Sequence, residues 1–374
     1  MAIRTIAKRI FIIFHIGIVA LFLLSCANAF LHPEKWWFFA ILGLAFPFLL
    51  ILVILFLLFW TLFKSRWAFL SLAALLLGYS NIRALIGLHG SEFKTAKADK
   101  SIRILTWNVR WFDEQKRVTK GAYPSRKQML AFIKEQDPDI LCFQEYFETN
   151  KVNYSNLKDI QKMNYPYHYK VIDYGRKGGP LEVGVAIFSR FPIVDSMRLR
   201  YPGPVQLRAA ESLISCDIDL GPQTIRVYTT HLQSVLFQKE DYERLRMIRT
   251  ADDSMLDASK SILKKLRQGY ASRGKQVDIV RELLDKSPYP VILCGDFNDV
   301  PNSYTYFHIR GDRQDAFIAA SNGIGRTYRD VSPTLRIDYV MADKRFDVLQ
   351  CKRFPVPYSD HYPVLADLQL QPTE

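Results

Sequence analysis

Polar residues that could carry chemistry follow or interrupt a series of short apolar runs in the second part of the chain. Each run has the length and composition of a β-strand, and the ends of neighbouring strands can present side chains to one cleft. The polar groups are acids, amides and imidazoles, which bind metal ions and transfer protons. They are Asn108, Gln144, Glu145, His231, Asp296, Asn298, Asp338, Asp360 and His361.

Glu145 and Asp296 are natural candidates to bind a hard divalent cation. Mg²⁺ is bound in proteins by one or two carboxylates together with water and substrate phosphate oxygens. Taken alone, either residue could equally be a strand-end cap or a surface acid. The prediction of a metal site therefore rests on the whole set of residues.

His361 and Asp338 could form an acid–base pair. An imidazole titrates near neutral pH, and a carboxylate on its far nitrogen fixes the tautomer and stabilises the imidazolium. Because Arg336 lies two residues before Asp338, the alternative is a structural carboxylate that is paired with arginine.

Six short motifs occur in order along the chain and together resemble the successive motifs of the endonuclease/exonuclease/phosphatase superfamily. They cover almost everything from Ile102 to Leu370, whereas any one of them alone would be weak evidence. The motifs are Thr106-Trp107-Asn108, Gln144-Glu145, Thr230-His231-Leu232, Gly295-Asp296-Phe297-Asn298, Arg336-Ile337-Asp338-Tyr339 and Ser359-Asp360-His361.

This resemblance implies the fold and the reaction. The fold would be a four-layer α/β sandwich, in which two packed, mainly antiparallel sheets lie between outer helices. The reaction would be metal-assisted attack of water on phosphorus, with Mg²⁺ or Mn²⁺ as cofactor. Carried over residue by residue, the metal ligands are Glu145, Asn108 and Asp360.

The resemblance also implies catalytic roles. Asp296 resembles the group that orients or deprotonates the water, and Asn298 resembles a contact to the phosphate and the transition state. His361 resembles the imidazole of a catalytic His–Asp pair that is completed by Asp338. His231 is predicted to be catalytic and to bind substrate, with a purely structural histidine as the alternative.

His231 also separates branches of the family. Members that resemble deoxyribonuclease I and the sphingomyelinases have His at this position, whereas abasic-site endonucleases that resemble exonuclease III have Tyr, followed three residues later by Asn. This chain has His231 and Ser234. The sequence therefore disfavours abasic-site repair.

The first ninety residues differ in composition from the rest. No charged residue occurs at 10–31 or 36–63, and a third apolar run from Trp67 to Ile82 could extend to Leu88 past Arg83. Because about 20 apolar residues span a bilayer core, two to three transmembrane helices are predicted, at about 10–31, 36–63 and 67–88. The predicted organisation is a membrane anchor over 1–90, a polar linker over 91–100 and a catalytic domain over 101–374.

The positions of Lys and Arg predict the orientation. Basic residues precede the first apolar run and lie between the second and third runs, and such flanks are typically cytoplasmic. Three spans would then place the catalytic domain outside the cell membrane, which we expect, and two would leave it in the cytoplasm. The basic start also fits a signal peptide, and Leu23-Leu24-Ser25-Cys26 is similar to a lipoprotein cleavage box. Lipidation of Cys26 is therefore an alternative to an ordinary apolar helix residue.

The overall charge and the cysteines indicate little about the function. The chain has 50 Lys and Arg against 37 Asp and Glu, a net charge of +13, which suits a polyanionic substrate or an anionic membrane surface. The 5 cysteines include no CxxC pair, so a zinc site is not predicted.

The leading functional prediction is a membrane-anchored phosphodiester hydrolase of the nuclease type. The alternatives are a phospholipid or sphingolipid phosphodiesterase, an inositol phosphate phosphatase, and a non-catalytic membrane-bound binding module. The predicted partners are therefore a nucleic acid or phospholipid substrate and the membrane. No protein partner is evident from the sequence.

Overall fold

The structure is a computed structural model of the chain, and it falls into two compact units. The helical unit comprises Met1–Leu85, Val235–Lys275 and Val300–His308, and the sheet unit comprises Ile86–Ser234, Gln276–Asp299 and Ile309–Glu374. The residues that the structure describes are 2–90, 92–114, 125–150, 154–175, 179, 181–202, 212–235, 255–330 and 332–372.

Four helices form the N-terminal part of the helical unit: α1 (Ala2–Ala27), α2 (Pro33–Leu62), α3 (Ala68–Leu77) and α4 (Tyr79–Leu85). Helices α1 and α2 are long and apolar enough to cross a membrane. Helices α3 and α4 meet at a bend of 67° and form at most one further span. The first two predicted spans are therefore long apolar helices, and the third apolar run is a bent pair.

A polar contact links three of these helices. Trp60 Nε1 donates to His15 Nδ1 at 3.1 Å, and His15 Nε2 lies 2.8 Å from Ser71 Oγ. All three residues are buried. Since polar side chains between apolar helices need a partner, this contact aligns α3 with the middle of α1.

The strands are short and closely spaced, as the alternating apolar runs predict. They are β1 (Gly87–Leu88), β2 (Ile102–Asn108), β3 (Ile140–Glu148), β4 (Tyr167–Lys170), β5 (Tyr174–Gly175), β6 (Glu182–Ser189), β7 (Ile193–Arg200), β8 (Ser212–Asp219), β9 (Thr224–His231), β10 (Val291–Asp296), β11 (Gln314–Asp315), β12 (Asn322–Gly323), β13 (Asp338–Ala342), β14 (Phe346–Arg353) and β15 (Val364–Leu370).

Two large sheets pack face to face in the sheet unit. One has seven strands in the order β14-β15-β2-β3-β6-β4, with β5 beside β6, and the other has six strands in the order β11-β13-β10-β9-β8-β7. The pairs β2–β3 and β9–β10 are parallel, and the other pairs within the two sheets are antiparallel. The small strands β1 and β12 pair separately.

Each inner strand alternates between two apolar layers, because successive side chains of a strand point to opposite faces. On β2 and β3, Ile104 and Cys142 lie in the core between the sheets, whereas Leu105 and Phe143 lie in a second cluster on the outer face. This outer cluster includes Met129 of helix α5 (Arg126–Gln136) and residues of helix α6 (Asn156–Gln161).

Helices cover the other sheet as well. The remaining helices are α7 (Met255–Asp285), α8 (Tyr304–Arg310) and α9 (Ala316–Ala320), with a short 3-10 turn at Arg110–Asp113. Tyr228 on β9 donates its hydroxyl to the carbonyl of Leu283 on α7 at 3.3 Å. The order is helix, sheet, sheet, helix, and the predicted α/β sandwich is confirmed.

Part of the polar segment 91–100 packs on the strands of the sheet unit. Lys97 forms an ion pair with Asp139 at 2.7 Å, and the rings of Phe93 and Phe354 are 5.5 Å apart. The domain boundaries proposed from the sequence stay a prediction.

Candidate active site

The predicted site residues lie where core-facing rows of side chains reach the ends of their strands. Asn108, His231 and Asp296 are the last residues of β2, β9 and β10, and Asp338 is the first residue of β13. Each lies an even number of residues from a side chain of the core between the sheets, as Asp296 lies two residues after Cys294. Because side chains two residues apart on a strand face the same side, all four side chains point towards the gap between the sheets.

Strand pairing brings these ends together. In the six-stranded sheet, Asp296 lies opposite His231 on one side and opposite Asp338 on the other. In the seven-stranded sheet, Asn108 lies opposite Gln144. The register of the sheets thus assembles the site from segments that are far apart in the sequence.

Glu145 reaches the site through an irregularity in β3. The register between β3 and β6 shifts between Phe143 and Tyr146, and Glu145 has a positive φ of 51°. Gln144 already faces the opposite sheet, because its amide donates to Thr229 Oγ1 at 2.8 Å. The extra residue of a bulge re-aims the next side chain, so Glu145 is turned towards the same gap.

Asn108 connects the two sheets at the site. Its Nδ2 lies 3.3 Å from Glu145 Oε1 and 3.2 Å from Asp296 Oδ2. Its Oδ1 accepts a hydrogen bond from the backbone N–H of Arg110 at 3.1 Å. A single buried amide therefore holds a carboxylate of each sheet within hydrogen-bond distance.

Asp296 lies between two histidines. Its Oδ2 is 3.5 Å from His231 Nε2 and 3.6 Å from His361 Nε2. Its Oδ1 accepts the backbone N–H of Asn298 at 2.8 Å. Only 1% of Asp296 is exposed, so these neighbours, rather than bulk water, set the environment of its carboxylate.

His361 and Asp338 form a buried pair. His361 Nδ1 lies 3.1 and 3.0 Å from the two carboxylate oxygens of Asp338. Burial lowers the pKa of His361, but the negative charges of Asp338 and Asp296 outweigh it, and the net pKa lies well above its usual value. Arg336 instead pairs with Asp315 at 2.5 Å. The geometry is thus that of a His–Asp pair, and the arginine bonds to another carboxylate.

The turn after β10 places Asn298. Asn298 has a positive φ of 52°, and its Nδ2 donates to the carbonyl of Leu232 at 2.9 Å. Gly295 also has a positive φ, and a Cβ there would lie 2.2 Å from the carbonyl oxygen of Thr230. Backbone strain of this kind persists only where the surrounding structure enforces it, and here it holds Asn298 beside Asp296.

Asp360 completes the acidic side of the site. Its Oδ2 lies 3.3 Å from Arg110 Nε, and its Oδ1 accepts from Ser359 Oγ at 3.2 Å. Burial raises the pKa of Glu145, the charge of His231 opposes this shift, and the charge of Asp360 adds to it. The charge of Asp360 therefore disfavours the ionised form of Glu145.

These residues fit a hard divalent cation. Glu145 and Asp360 offer carboxylate oxygens, which Mg²⁺ and Mn²⁺ prefer. Asn108 directs its Nδ2 towards Glu145 and its Oδ1 towards the N–H of Arg110, so its amide would have to turn for the oxygen to bind the cation. A cation would also favour the ionised forms of two carboxylates that repel each other. A second group of potential ligands, Asp296, Asp338 and His361, has ligand atoms within 4.8 Å of one another.

Three neighbours of the site were not predicted. Arg110 contacts Asp360, Thr327 Oγ1 accepts the backbone N–H of Asp338 at 3.0 Å, and the ring of Tyr328 lies 5.0 Å from that of His361. Arg110 could have been found from its position two residues after Asn108. Thr327 and Tyr328 lie between strands in a segment without apolar periodicity, so no sequence signal identifies them.

Comparison with known proteins agrees with this geometry. Residues 105–361 match the model of the Endonuclease/Exonuclease/phosphatase family. The chain belongs to this family. Its members are hydrolases that act on phosphate esters, so the endonuclease/exonuclease/phosphatase resemblance of the motifs is confirmed. Residues 8–85 match a separate domain of unknown function, DUF8431.

Solved structures of this family share the fold. An endonuclease/exonuclease/phosphatase from Beutenbergia cavernae is 21% identical, with a TM-score of 0.50, over 73% of this chain and 72% of that one. The catalytic domain of human Nocturnin, solved with a bound sulfate anion, is 18% identical, with a TM-score of 0.50, over 73% of this chain and 94% of that one. No curated protein matches the chain.

Proposed function

We propose that this chain is a membrane-anchored phosphoesterase that uses Mg²⁺ or Mn²⁺ to hydrolyse a phosphodiester by attack of water on phosphorus. The observation that carries the proposal is the position of Asn108, whose amide lies 3.3 Å from Glu145 and 3.2 Å from Asp296. This position of Asn108 supports a site in which Glu145 of one sheet binds the metal next to Asp296 of the other sheet, which transfers protons. A binding module would have no need for this arrangement.

Glu145 and Asp360 would hold the cation, and Asn108 would join them once its amide turns to present the oxygen. When bound, a divalent cation stabilises the negative charge that develops on the phosphoryl oxygens. We assign the other group of potential ligands to proton transfer, because His361 Nδ1 and Asp338 already bond to each other at 3.0 Å. A metal ion bound between them would have to break that contact.

Asp296, His361 and Asp338 would act on protons. Asp296 would orient the water and accept its proton. Asp338 accepts from His361 Nδ1, so His361 Nε2 is the nitrogen that can exchange a proton within the cleft, 3.6 Å from Asp296. The raised pKa of His361 favours its protonated form, which is the form that can donate to a phosphoryl or leaving oxygen.

Asn298 and His231 would contact the substrate. An amide NH₂ group carries two hydrogens, and the Leu232 carbonyl engages one from Asn298. The second can donate to a phosphoryl oxygen. His231 Nε2 lies on the other side of Asp296 at 3.5 Å, where it can bind the same phosphate.

The reaction is tested with full-length protein and bis-p-nitrophenyl phosphate. We expect turnover with Mg²⁺ or Mn²⁺ that is abolished by EDTA and restored by adding the metal back. His361→Ala should be inactive at every metal concentration. Turnover that persists in EDTA, or none with either metal, would refute the proposed reaction. A panel of DNA, RNA, sphingomyelin and phosphoinositides then identifies the substrate, for which nucleic acid is our leading proposal.

We further propose that the chain crosses the membrane three times. Ser71 on α3 contacts His15, and Asn81 on α4 donates to the carbonyl of Cys26 at 3.2 Å. These two positions on α1 are 11 residues apart, or about 16 Å along a helix. The bent pair therefore runs from the middle of α1 to its C-terminal end, which supports a third crossing.

Three crossings would also decide the side on which the catalytic domain lies. The basic N-terminus should be cytoplasmic, and an odd number of crossings leads the chain after α4 out of the cytoplasm. A catalytic domain on the extracytoplasmic side is therefore part of the proposal.

The basic residues support this orientation. Arg4 and Lys8 lie at the start of α1, Lys64 and Arg66 lie between α2 and α3, and all four should be cytoplasmic. A reporter fused after Glu374 that is active only outside the cytoplasm should function, and one that is active only in the cytoplasm should not. The reverse result would refute the proposed orientation. The predicted membrane anchor favours a phospholipid as the second candidate substrate.

A further inference from the structure

Four exposed basic residues lie along one side of the N-terminal part of helix α7. They are Lys260, Lys264, Arg267 and Lys275, the basic stripe. The last three follow Lys260 by four, seven and fifteen residues, which are close to whole turns of an α-helix. No acidic residue occurs between Ser259 and Lys275, so this part of α7 adds no negative charge to the surface.

The opposite side of this part of α7 is buried. Ile262, Tyr270 and Arg273 are at most 6% exposed, and the guanidinium of Arg273 lies 4.7 Å from the centre of the Tyr270 ring. Because these side chains pack inside the protein, they fix the rotation of the helix about its axis. The basic stripe therefore faces outwards.

Two residues of the stripe contact the first turn of helix α2. Lys275 Nζ pairs with Glu34 Oε1 at 2.8 Å, and the guanidinium carbon of Arg267 lies 6.0 Å from the centre of the Trp37 ring. All four residues belong to the helical unit. The stripe and the start of α2 thus form one continuous surface.

This part of α7 crosses the start of α2. A Cβ on Gly274 would lie 2.8 Å from Pro33 Cγ, so the two helices touch at this point. The contacts cover residues 267–275 of α7 and 33–37 of α2, which are about 12 Å of one helix and about 6 Å of the other. Helices that run side by side would make contacts that advance equally along both.

The start of α2 has the character of a membrane interface. Helix α2 is long and apolar enough to cross a membrane, and its uncharged stretch begins at Trp36. Trp36 is 44% exposed, and tryptophan is enriched where a membrane meets water. Leu263, near the stripe on α7, is 41% exposed. With α2 in a bilayer, the stripe would lie at the level of the lipid headgroups.

We propose that the basic stripe binds the headgroups of anionic phospholipids in the membrane leaflet where α2 begins. The proposal rests on the proposed membrane anchor and adds a lipid preference to it. Basic side chains near a membrane surface attract anionic lipids, and a guanidinium can bind a phosphate through two parallel hydrogen bonds. A bilayer fits better than a nucleic acid, because a nucleic acid would leave the apolar surface beside the stripe uncovered.

The test measures the lipid preference of the full-length protein in vesicles of phosphatidylcholine and phosphatidylglycerol. Brominated acyl chains quench nearby tryptophans, so we compare quenching by the brominated form of each lipid. Each basic residue close to an anionic surface strengthens binding about fivefold. Lys260→Gln, Lys264→Gln and Arg267→Gln together should therefore weaken the preference for phosphatidylglycerol by up to about 100-fold.

Two control variants separate the stripe from the net charge of the protein. Exchanging Lys and Arg at the same three positions keeps the charge and should keep the preference. Lys127→Gln, Lys134→Gln and Lys158→Gln remove the same charge from exposed positions on α5 and α6 and should also keep it. An unchanged preference in the stripe variant, or an equal loss in the α5 and α6 variant, would overturn the proposal.

Binding of labelled DNA, followed by fluorescence anisotropy, tests the other polyanion. A stripe variant that loses DNA binding and keeps the lipid preference would show that the stripe binds nucleic acid, and the proposal would be wrong. Release of the wild-type protein from membranes by alkaline carbonate would refute the anchor and the lipid site together. If the protein stays in the membrane and the stripe variant keeps its preference, the lipid site alone is refuted. None of these measurements depends on phosphodiester turnover.

Discussion

Replacing Asp338 by Asn isolates the contribution of the His–Asp pair, because the substitution keeps the shape of the side chain and removes its charge. His361 Nδ1 lies 3.0 Å from Asp338 Oδ2. At an effective dielectric constant of about 20, two unit charges about 3 Å apart attract by about 5.5 kcal/mol. Each 1.36 kcal/mol is a factor of about 10 in rate, so full loss of this attraction would cost about 10⁴-fold.

The substituted amide also changes the histidine. An Asn side chain can donate to Nδ1 as well as accept from it, so the tautomer of His361 is no longer fixed. Because the raised pKa of His361 favours the imidazolium before the reaction, part of this attraction is present in the ground state and does not lower the barrier. Its loss lowers the pKa of the imidazole and hence the protonated fraction, so we expect kcat of Asp338→Asn to fall by about 10²- to 10⁴-fold, the range of general acid–base effects, and to fall more at higher pH.

The assay is kcat for bis-p-nitrophenyl phosphate at saturating Mg²⁺, with folding checked by thermal melting. Asp312→Asn is a matched control, because Asp312 is exposed and pairs only with an exposed lysine in its described contact. Asp338→Asn added to His361→Ala should cause no further loss, since Asp338 acts through His361. A rate within tenfold of the wild type, or multiplying losses in the double variant, would refute the assigned pair.

Three further outcomes follow from the site. Glu145→Gln should weaken metal binding, so its activity should recover at least partly as Mg²⁺ is raised; a titration that shows no recovery would contradict its role as a ligand. Gly295→Ala should destabilise the fold by about 2 kcal/mol or more, because the added Cβ would lie 2.2 Å from the carbonyl oxygen of Thr230. An unchanged Tm would contradict the conformation of the turn at Gly295. The wild-type protein should incise abasic DNA poorly, because it has His231 and Ser234, and efficient, selective incision would exclude this branch assignment.

Much of the sheet unit could be predicted from the sequence, because apolar strands leave a strong pattern. The run before Asn108 and the run before Asp296 each end at a polar residue, and strand ends lie at an edge of the sheet. The period of two also decides which side chains face the core. The sequence alone does not decide whether Asp338 pairs with His361 or with Arg336, because both are plausible partners. The three-dimensional structure shows the pair with His361.

The burial of Asn302 could not be predicted. Asp299 to Ser303 has the composition of an exposed turn, with Pro301 at its centre. Asn302 is nevertheless buried by helices that are more than 200 residues away in sequence, and its contacts depend on their packing. Sequence patterns report local structure, and the burial of a polar residue by distant helices leaves no local signal.

The bulge in β3 allows one strand to serve two purposes at once. A regular strand would point only one of Gln144 and Glu145 into the gap, so it could supply either the cross-link to Thr229 or the carboxylate, but not both. Deleting a single residue here would restore even pairing with β6 and turn one of the two away. Without the bulge in β3 the enzyme should therefore be less active. Variants that are selected only for stability should tend to lose the bulge and, with it, activity.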